Sequence, residues 1–282
     1  MMNQVITPTQ RPVGSSKLIE MVDVSNNDLL NEGASPLQLL RFFGLSCELE
    51  SSLWFVGGQM GNTKADAYMM NLLQKALQKG NFSLATDIFV TPVMNPTGWL
   101  KNLKTNSRGI DLTANFPTVV NTSSSAVLAP ETLSMMRWAD TIRPKAIVTF
   151  STSQQMIRYK NVPANIVERL KEISERPAYE FGTEPALNND QGEVLPLQDV
   201  SGALGAWICE KYPEAAWIDF CVIDSKKSFE EVAQEEWKLH VGPALKWLCE
   251  GLRFNPPKEE PITNKLQVIP VLDMPPEFAN LL

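Results

Sequence analysis

An α/β protein with a mainly parallel central sheet flanked by helices is the fold class this sequence predicts, on three observations. Apolar runs of strand length recur along the chain. Stretches with one apolar face at helical spacing separate them, the alternation that builds parallel sheets. The composition, 44% hydrophobic and 20% charged over 282 residues, is that of a globular chain able to bury one large core.

Residues 1–16 combine Pro, Thr, Gly and Ser without periodicity and read as an arm. The segment SPLQLLRFFGL, 35–45, opens with Ser-Pro, a cap followed by proline at the first helical position. Leu37, Leu39, Leu40 and Phe43 then supply an apolar face, so a short helix is expected. LWFVGG, 53–58, is an apolar run ending in two glycines, which suits a buried strand feeding a tight turn. A helix follows near 65–79, with Met69, Leu72, Leu73, Ala76 and Leu77 at helical spacing, basic residues near its end and Gly80 as a stop. TDIFVTPV, 86–93, is a second strand. PETLSMMRWADTI, 130–142, reads as a helix and KAIVTFSTS, 145–153, as a third strand. An amphipathic helix over 163–176 carries Ile166, Val167, Leu170 and Ile173 on one side. The polar stretch 177–199 reads as a long loop, 201–211 as a helix, and AWIDFCVI, 216–223, as a fourth strand. A final helix over 230–252 is expected to bend at Gly242-Pro243. From Asn255 the chain holds six prolines and reads as an extended surface tail, so 1–282 form one domain with an arm and a Pro-rich tail.

A net charge of −7 argues against a nucleic-acid partner, because a phosphate-binding surface needs a basic excess. The N-terminal residues lack the apolar run of a signal peptide, and no stretch approaches the roughly 20 apolar residues of a membrane span, so a cytoplasmic location without membrane contact is expected. Cys47, Cys209, Cys221 and Cys249 lack CxxC spacing and read as reduced, mostly buried thiols.

The stretch 91–117, TPVMNPTGWLKNLKTNSRGIDLTANFP, carries the chain's most specific pattern. It resembles the central signature of the zinc carboxypeptidases, the carboxypeptidase A and murein-peptide amidase type, which reads roughly NPDG, a short basic stretch, RTN and GVDLNRNFP. Asn95, Pro96 and Gly98 match its first part. Thr105, Asn106, Gly109, Asp111, Leu112, Asn115, Phe116 and Pro117 match its second part. The resemblance covers about 53–252 and implies a mixed, mainly parallel sheet flanked by helices, the zinc carboxypeptidase-like fold.

At the functional positions the sequence departs from that pattern. Where the family grips a substrate carboxylate with Asn-Arg, this chain has Thr113-Ala114. The family's HxxE zinc pair falls on Met60 and Thr63, and its second zinc-binding His on Ser151. A thioether and two hydroxyls are poor zinc donors. The whole sequence has one histidine, His240 in the last helix, so no site with two imidazoles can be assembled from it. Cys221 stands at the likeliest match to the catalytic Glu, with Asp219 and Asp224 close by. A thiol without zinc cannot take a proton from metal-bound water. Lys101 and Lys104, with Arg108 nearby, occupy the family's basic positions; lysine keeps the charge but loses the planar fork. Asp111, which in the family orients a zinc-binding His, needs another partner here, and Lys64 or Arg108 are the candidates. For His240, Trp237 and Trp247 a structural role is the default.

The sequence therefore points to a catalytically inactive homologue of the zinc carboxypeptidases, without zinc or another cofactor. It would bind a small peptide-like ligand or a protein partner, using Lys101, Lys104, Asn106, Asp111, Thr113 and Ala114. Three other readings stay open. One is a metallocarboxypeptidase or amidase acting on small cell-wall-type peptides through an unrecognised metal site. Another is metal-free thiol chemistry at Cys221. The third is a purely structural subunit with a filled cleft.

Overall fold

The computed structural model describes residues 19–22, 37–44, 52–119, 127–152, 156–183, 187–188, 194–195, 202–222 and 229–251. The arm over 1–16, the tail from 255, Cys47 and Asp224 lie outside them. The elements in chain order are β1 (Ile19–Val22), β2 (Gln38–Phe42), β3 (Leu53–Val56), α1 (Ala65–Gln78), β4 (Ile88–Thr91) and α2 (Pro96–Lys101). A 3-10 turn (Leu112–Ala114) precedes α3 (Pro130–Ile142), β5 (Ala146–Thr152), β6 (Met156–Lys160), α4 (Ala164–Ser174) and β7 (Ala178–Glu180). Then come β8 (Leu187–Asn188), β9 (Val194–Leu195), α5 (Leu204–Lys211), β10 (Ala216–Val222), α6 (Phe229–Glu236) and α7 (Gly242–Gly251).

Eight strands form one sheet in the order β1-β2-β4-β3-β5-β10-β6-β7. Its centre, β4-β3-β5-β10, is parallel, and β6 and β7 pair in parallel as well. Antiparallel joints at β1/β2, β2/β4 and β10/β6 make the sheet mixed. Helices cover both faces, so the central strands are apolar on both sides. Leu53 and Phe55 point into one core cluster with Met69, Leu73, Leu245 and Leu248. Trp54 and Val56 point into the other with Met135, Ile142, Trp207 and Ile208.

Three expectations are corrected. The predicted helix over 35–45 is a strand where it is described: β2 runs antiparallel to β4, with Leu40 opposite Val90. Its apolar residues alternate between faces, Leu37 and Leu39 entering one cluster and Leu40 and Phe42 the other. Burial on both faces produces the dense apolar stretch, broken only by Gln38 and Arg41, that reads as one helical face. The predicted loop over 177–199 contains β7, paired in parallel with β6, and the short β8/β9 pair. The last helix is interrupted by a π turn, Trp237–Val241, directly before Gly242-Pro243. A side chain at Gly242 would place its Cβ 2.2 Å from the Trp237 carbonyl oxygen, so only glycine fits there. The strand β6 has no counterpart in the sequence reading, and it carries a principal residue of the cleft.

Candidate functional site

The cleft lies where β3, β5 and β10 end, the usual place for ligands in such sheets. Its first wall is the turn after β3. Gly58 has a φ of +59°, and its N–H donates to Asp66 Oδ2 at 2.7 Å. Gly57 and Gly58 accept from the Met94 and Asn95 N–H groups at 2.9 and 2.8 Å, which stitches this turn to the loop entering α2. Gly61 lies directly against the Gly98–Trp99 backbone, where a Cβ would come within 1.9 Å of the Gly98 carbonyl carbon. The glycines of the two matching motifs therefore meet each other. This turn presents Gln59, Met60 and Thr63 to the cleft. The Thr63 hydroxyl donates back to the Met60 carbonyl at 3.3 Å, inside the turn.

The retained signature residues act as structural braces. Asn95 caps α2, its Oδ1 accepting from the Gly98 N–H at 2.9 Å. Asn106 is buried; its amide donates to Glu131 at 3.0 Å, and its carbonyl accepts from the Arg108 and Ile110 N–H groups, each at 3.0 Å. Asn115 Oδ1 accepts from the Ala129 N–H and the Thr132 hydroxyl, both at 2.8 Å. Asp111 caps the 3-10 turn, accepting from the Thr113 N–H at 3.0 Å and the Thr113 hydroxyl at 2.7 Å.

The partner of Asp111 is Lys104, at 2.8 Å, rather than Lys64 or Arg108. Lys64 sits over the Trp99 ring. Burial pushes the Asp111 carboxyl up, but bonds from Lys104 and Thr113 outweigh it and hold the carboxyl below its ordinary range. Lys104 is thereby neutralised by Asp111. Of the six proposed ligand-binding residues, Thr113 lines the cleft; Lys101, Lys104, Asn106, Asp111 and Ala114 do not. Met60, Thr63 and Ser151 line it together.

At the floor, sheet register assembles a polar cluster that the sequence reading missed. Asp219 on β10 is the direct partner of Thr149 on β5 and of Arg158 on β6. The Trp217 indole donates to Thr149 Oγ1 at 2.8 Å, and the Thr149 hydroxyl donates to Asp219 Oδ1 at 2.7 Å. Ser151 donates to Asp219 Oδ2 at 2.7 Å, and the Arg158 guanidinium donates to that oxygen through Nε at 3.1 Å and Nη2 at 2.5 Å. Arg158 Nη2 also donates to Ser151 Oγ at 3.1 Å. The Arg158 and Asp219 side chains are only 8% and 2% exposed, yet both reach the cleft surface. A signal was available: one Arg in MIRYK and one Asp in AWIDFCV, each inside an apolar strand, where a charge survives only when paired.

Cys221 lies beneath this cluster, fully buried, with Sγ 3.3 Å from Ser151 Oγ. Burial first, and the neighbouring Asp219 charge second, push its thiol up to about 12. A nucleophilic cysteine needs an exposed, low-pKa thiolate, and this one has neither property. Cys209, Cys221 and Cys249 are unpaired and buried. Asp66 is a second buried acid in the cleft wall; burial pushes it up to about 7, against the pull of the Ala67, Gly58 and Gln59 N–H groups. His240 Nδ1 lies 2.9 Å from the Ser174 carbonyl oxygen, and His240 is not among the residues lining the cleft.

Zinc fits poorly here. Met60, Thr63 and Ser151 offer a soft thioether and two neutral hydroxyls, and a catalytic zinc is held by imidazole, thiolate or carboxylate donors. Among the described residues, no group of three His, Cys, Asp or Glu side chains is close enough to hold a metal ion. No helix among them is long and apolar enough to cross a membrane.

The architecture is the zinc-carboxypeptidase fold. Murein-tripeptide amidase MpaA from Escherichia coli O157 is similar at 18% identity, over 78% of this chain and 89% of that one, with a TM-score of 0.55. Thrombin activatable fibrinolysis inhibitor is similar at 14% identity, over 83% and 68%, with a TM-score of 0.60. Carboxypeptidase A from Helicoverpa armigera is similar at 12% identity, over 81% and 69%, with a TM-score of 0.56. No protein-family model and no curated protein sequence matches the chain. In fold it thus resembles the zinc carboxypeptidases.

Proposed function

We propose that this protein is a catalytically inactive relative of the zinc carboxypeptidases that acts by binding a small peptide-like ligand or a protein partner. One observation carries the reading. The cleft is lined by Met60, Thr63 and Ser151, the residues that the signature's spacing matches to the zinc ligands, and a buried Arg158–Asp219 pair fills the floor beside them. The carboxylate clamp is missing as well, since Thr113 replaces it on the cleft wall and Lys104 pairs with Asp111. A free peptide carboxylate entering such a site would be desolvated without a bidentate partner. Neutral polar groups, such as the amides of a peptide, suit the hydroxyls of Thr113 and Ser151 better.

The test is metal content of the purified protein, together with zinc titration followed by thermal unfolding. A ligand that binds only the native state raises stability by linkage, about 2.7 kcal/mol at a hundred times its Kd. No retained metal, no shift and no hydrolysis of di- and tripeptides is the expected outcome. Stoichiometric zinc with a clear shift, or peptide turnover that a chelator abolishes, overturns it.

A further inference from the structure

We infer that the Arg158–Asp219 ion pair is a built-in replacement for the metal, and that it actively closes this cleft to divalent cations. This rests on the reading above, that the chain binds without zinc, and adds the reason. Loss of imidazole and carboxylate donors removes affinity for a metal. The pair does something further, because it places a fixed cation beside one of the former ligand positions.

The geometry is specific. Ser151, at the position of the second zinc-binding His, accepts from Arg158 Nη2 at 3.1 Å. Any imidazole introduced at position 151 would meet this guanidinium. The one strong hard donor at the floor, the Asp219 carboxylate, is engaged at both oxygens. Thr149 bonds to one oxygen, while Ser151, Nε and Nη2 of Arg158 share the other. A metal ion would have to take Asp219 away from a buried guanidinium, leaving that charge unpaired at 8% exposure. Register makes the pair permanent rather than adventitious, since Asp219 and Arg158 are direct cross-strand partners. Phe181 covers Arg158, its ring centroid 5.0 Å from the guanidinium carbon, and stacks on Trp217 at 3.9 Å. The cation is thus held from the side as well as by its counter-charge.

The experiment rebuilds the metal donors with and without the guanidinium. Zinc affinity by chelator competition, and thermal unfolding with and without zinc, are measured for the wild-type protein, M60H/T63E/S151H, and M60H/T63E/S151H/R158M. The triple variant is expected to hold zinc at least a hundredfold more weakly than the quadruple one. If the quadruple variant fails to fold without metal, M60H/T63E/S151H/R158M/D219N, which leaves no unpaired buried charge, supports the same comparison and should still exceed the triple variant tenfold. Equal affinity with Arg158 present and absent overturns the inference, as does failure of every Arg158-less variant to bind zinc more tightly than the triple variant. Zinc binding by the wild-type protein would instead overturn the proposed function, so the two failures are distinguishable.

Discussion

Substituting Arg158 by methionine should be among the most destabilising single changes at the cleft. The guanidinium and the Asp219 carboxylate are 8% and 2% exposed, so neither is solvated by bulk water. Removing one partner of a buried pair costs about 3–5 kcal/mol, because the other charge stays buried and uncompensated. Here the Thr149 and Ser151 hydroxyls still donate to Asp219. They soften the loss, and about 3 kcal/mol is the figure for R158M. D219N leaves the guanidinium with Ser151 Oγ and should cost a similar amount. The double substitution R158M/D219N removes both charges and should lie within about 1 kcal/mol of wild type. The coupling between the two sites is then several kcal/mol, far outside the roughly 0.5 kcal/mol within which independent sites add. Urea unfolding at equilibrium measures this, provided the slope m stays constant across the four proteins. An R158M cost under about 1 kcal/mol, or a double variant as unstable as the sum of the singles, would refute the buried-pair account.

Three further predictions follow from the same geometry. Burial pushes the Asp66 carboxyl from its ordinary 3.8 up to about 7 in the fold. The native state therefore binds the proton more tightly, and this contribution is fully present below about 3.8 and lost as pH rises through about 7, on the order of 4 kcal/mol in all. Thermal unfolding of D66N should lack that decline between about pH 4 and 7; identical pH profiles for the two proteins would show that the N–H donors win instead. Cys221 should resist iodoacetamide in the native protein at pH 8 and react once unfolded, read by peptide mass; rapid native labelling would mean that the thiol is neither buried nor raised. N95A should cost about 1–2 kcal/mol in unfolding free energy, through the lost α2 cap and the 3.3 Å bond to the Lys104 carbonyl, without altering the zinc response.

The NPTG and GIDLTANFP segments owe their polar residues to the backbone of the loops they build. Asn95, Asn106, Asp111 and Asn115 each satisfy backbone N–H groups of the turns that shape the cleft. Replacing the buried Asn95, Asn106 or Asn115 leaves polar groups unpaired, at about 1–3 kcal/mol each, and less at the partly exposed Asp111. Thr63 bonds only within its own turn and Ser151 only to side chains in the hydrogen bonds described, so these two positions brace the backbone less than the four signature residues do.

Much was legible along the chain itself. The strands over 53–56, 88–91, 146–152 and 216–222 follow from apolar runs, and the helices over 65–78, 130–142 and 164–174 from their spacing, because those patterns are local. The presence of one histidine in the whole sequence was enough to exclude a two-imidazole site, since residue identity needs no folding. The tertiary structure alone decided the rest. Residues 38–42 form a strand because β4 offers an antiparallel edge, which outweighs a Ser-Pro helix-start signal. Asp111 pairs with Lys104 rather than with Lys64 or Arg108 because the 3-10 turn aims its carboxylate there. Above all, Arg158 and Asp219 stand 61 positions apart in sequence and become neighbours only when β6 lies antiparallel beside β10. A charge in an apolar strand announces that it needs a partner; which partner it meets is fixed by sheet register, a relation between distant segments that no local pattern encodes.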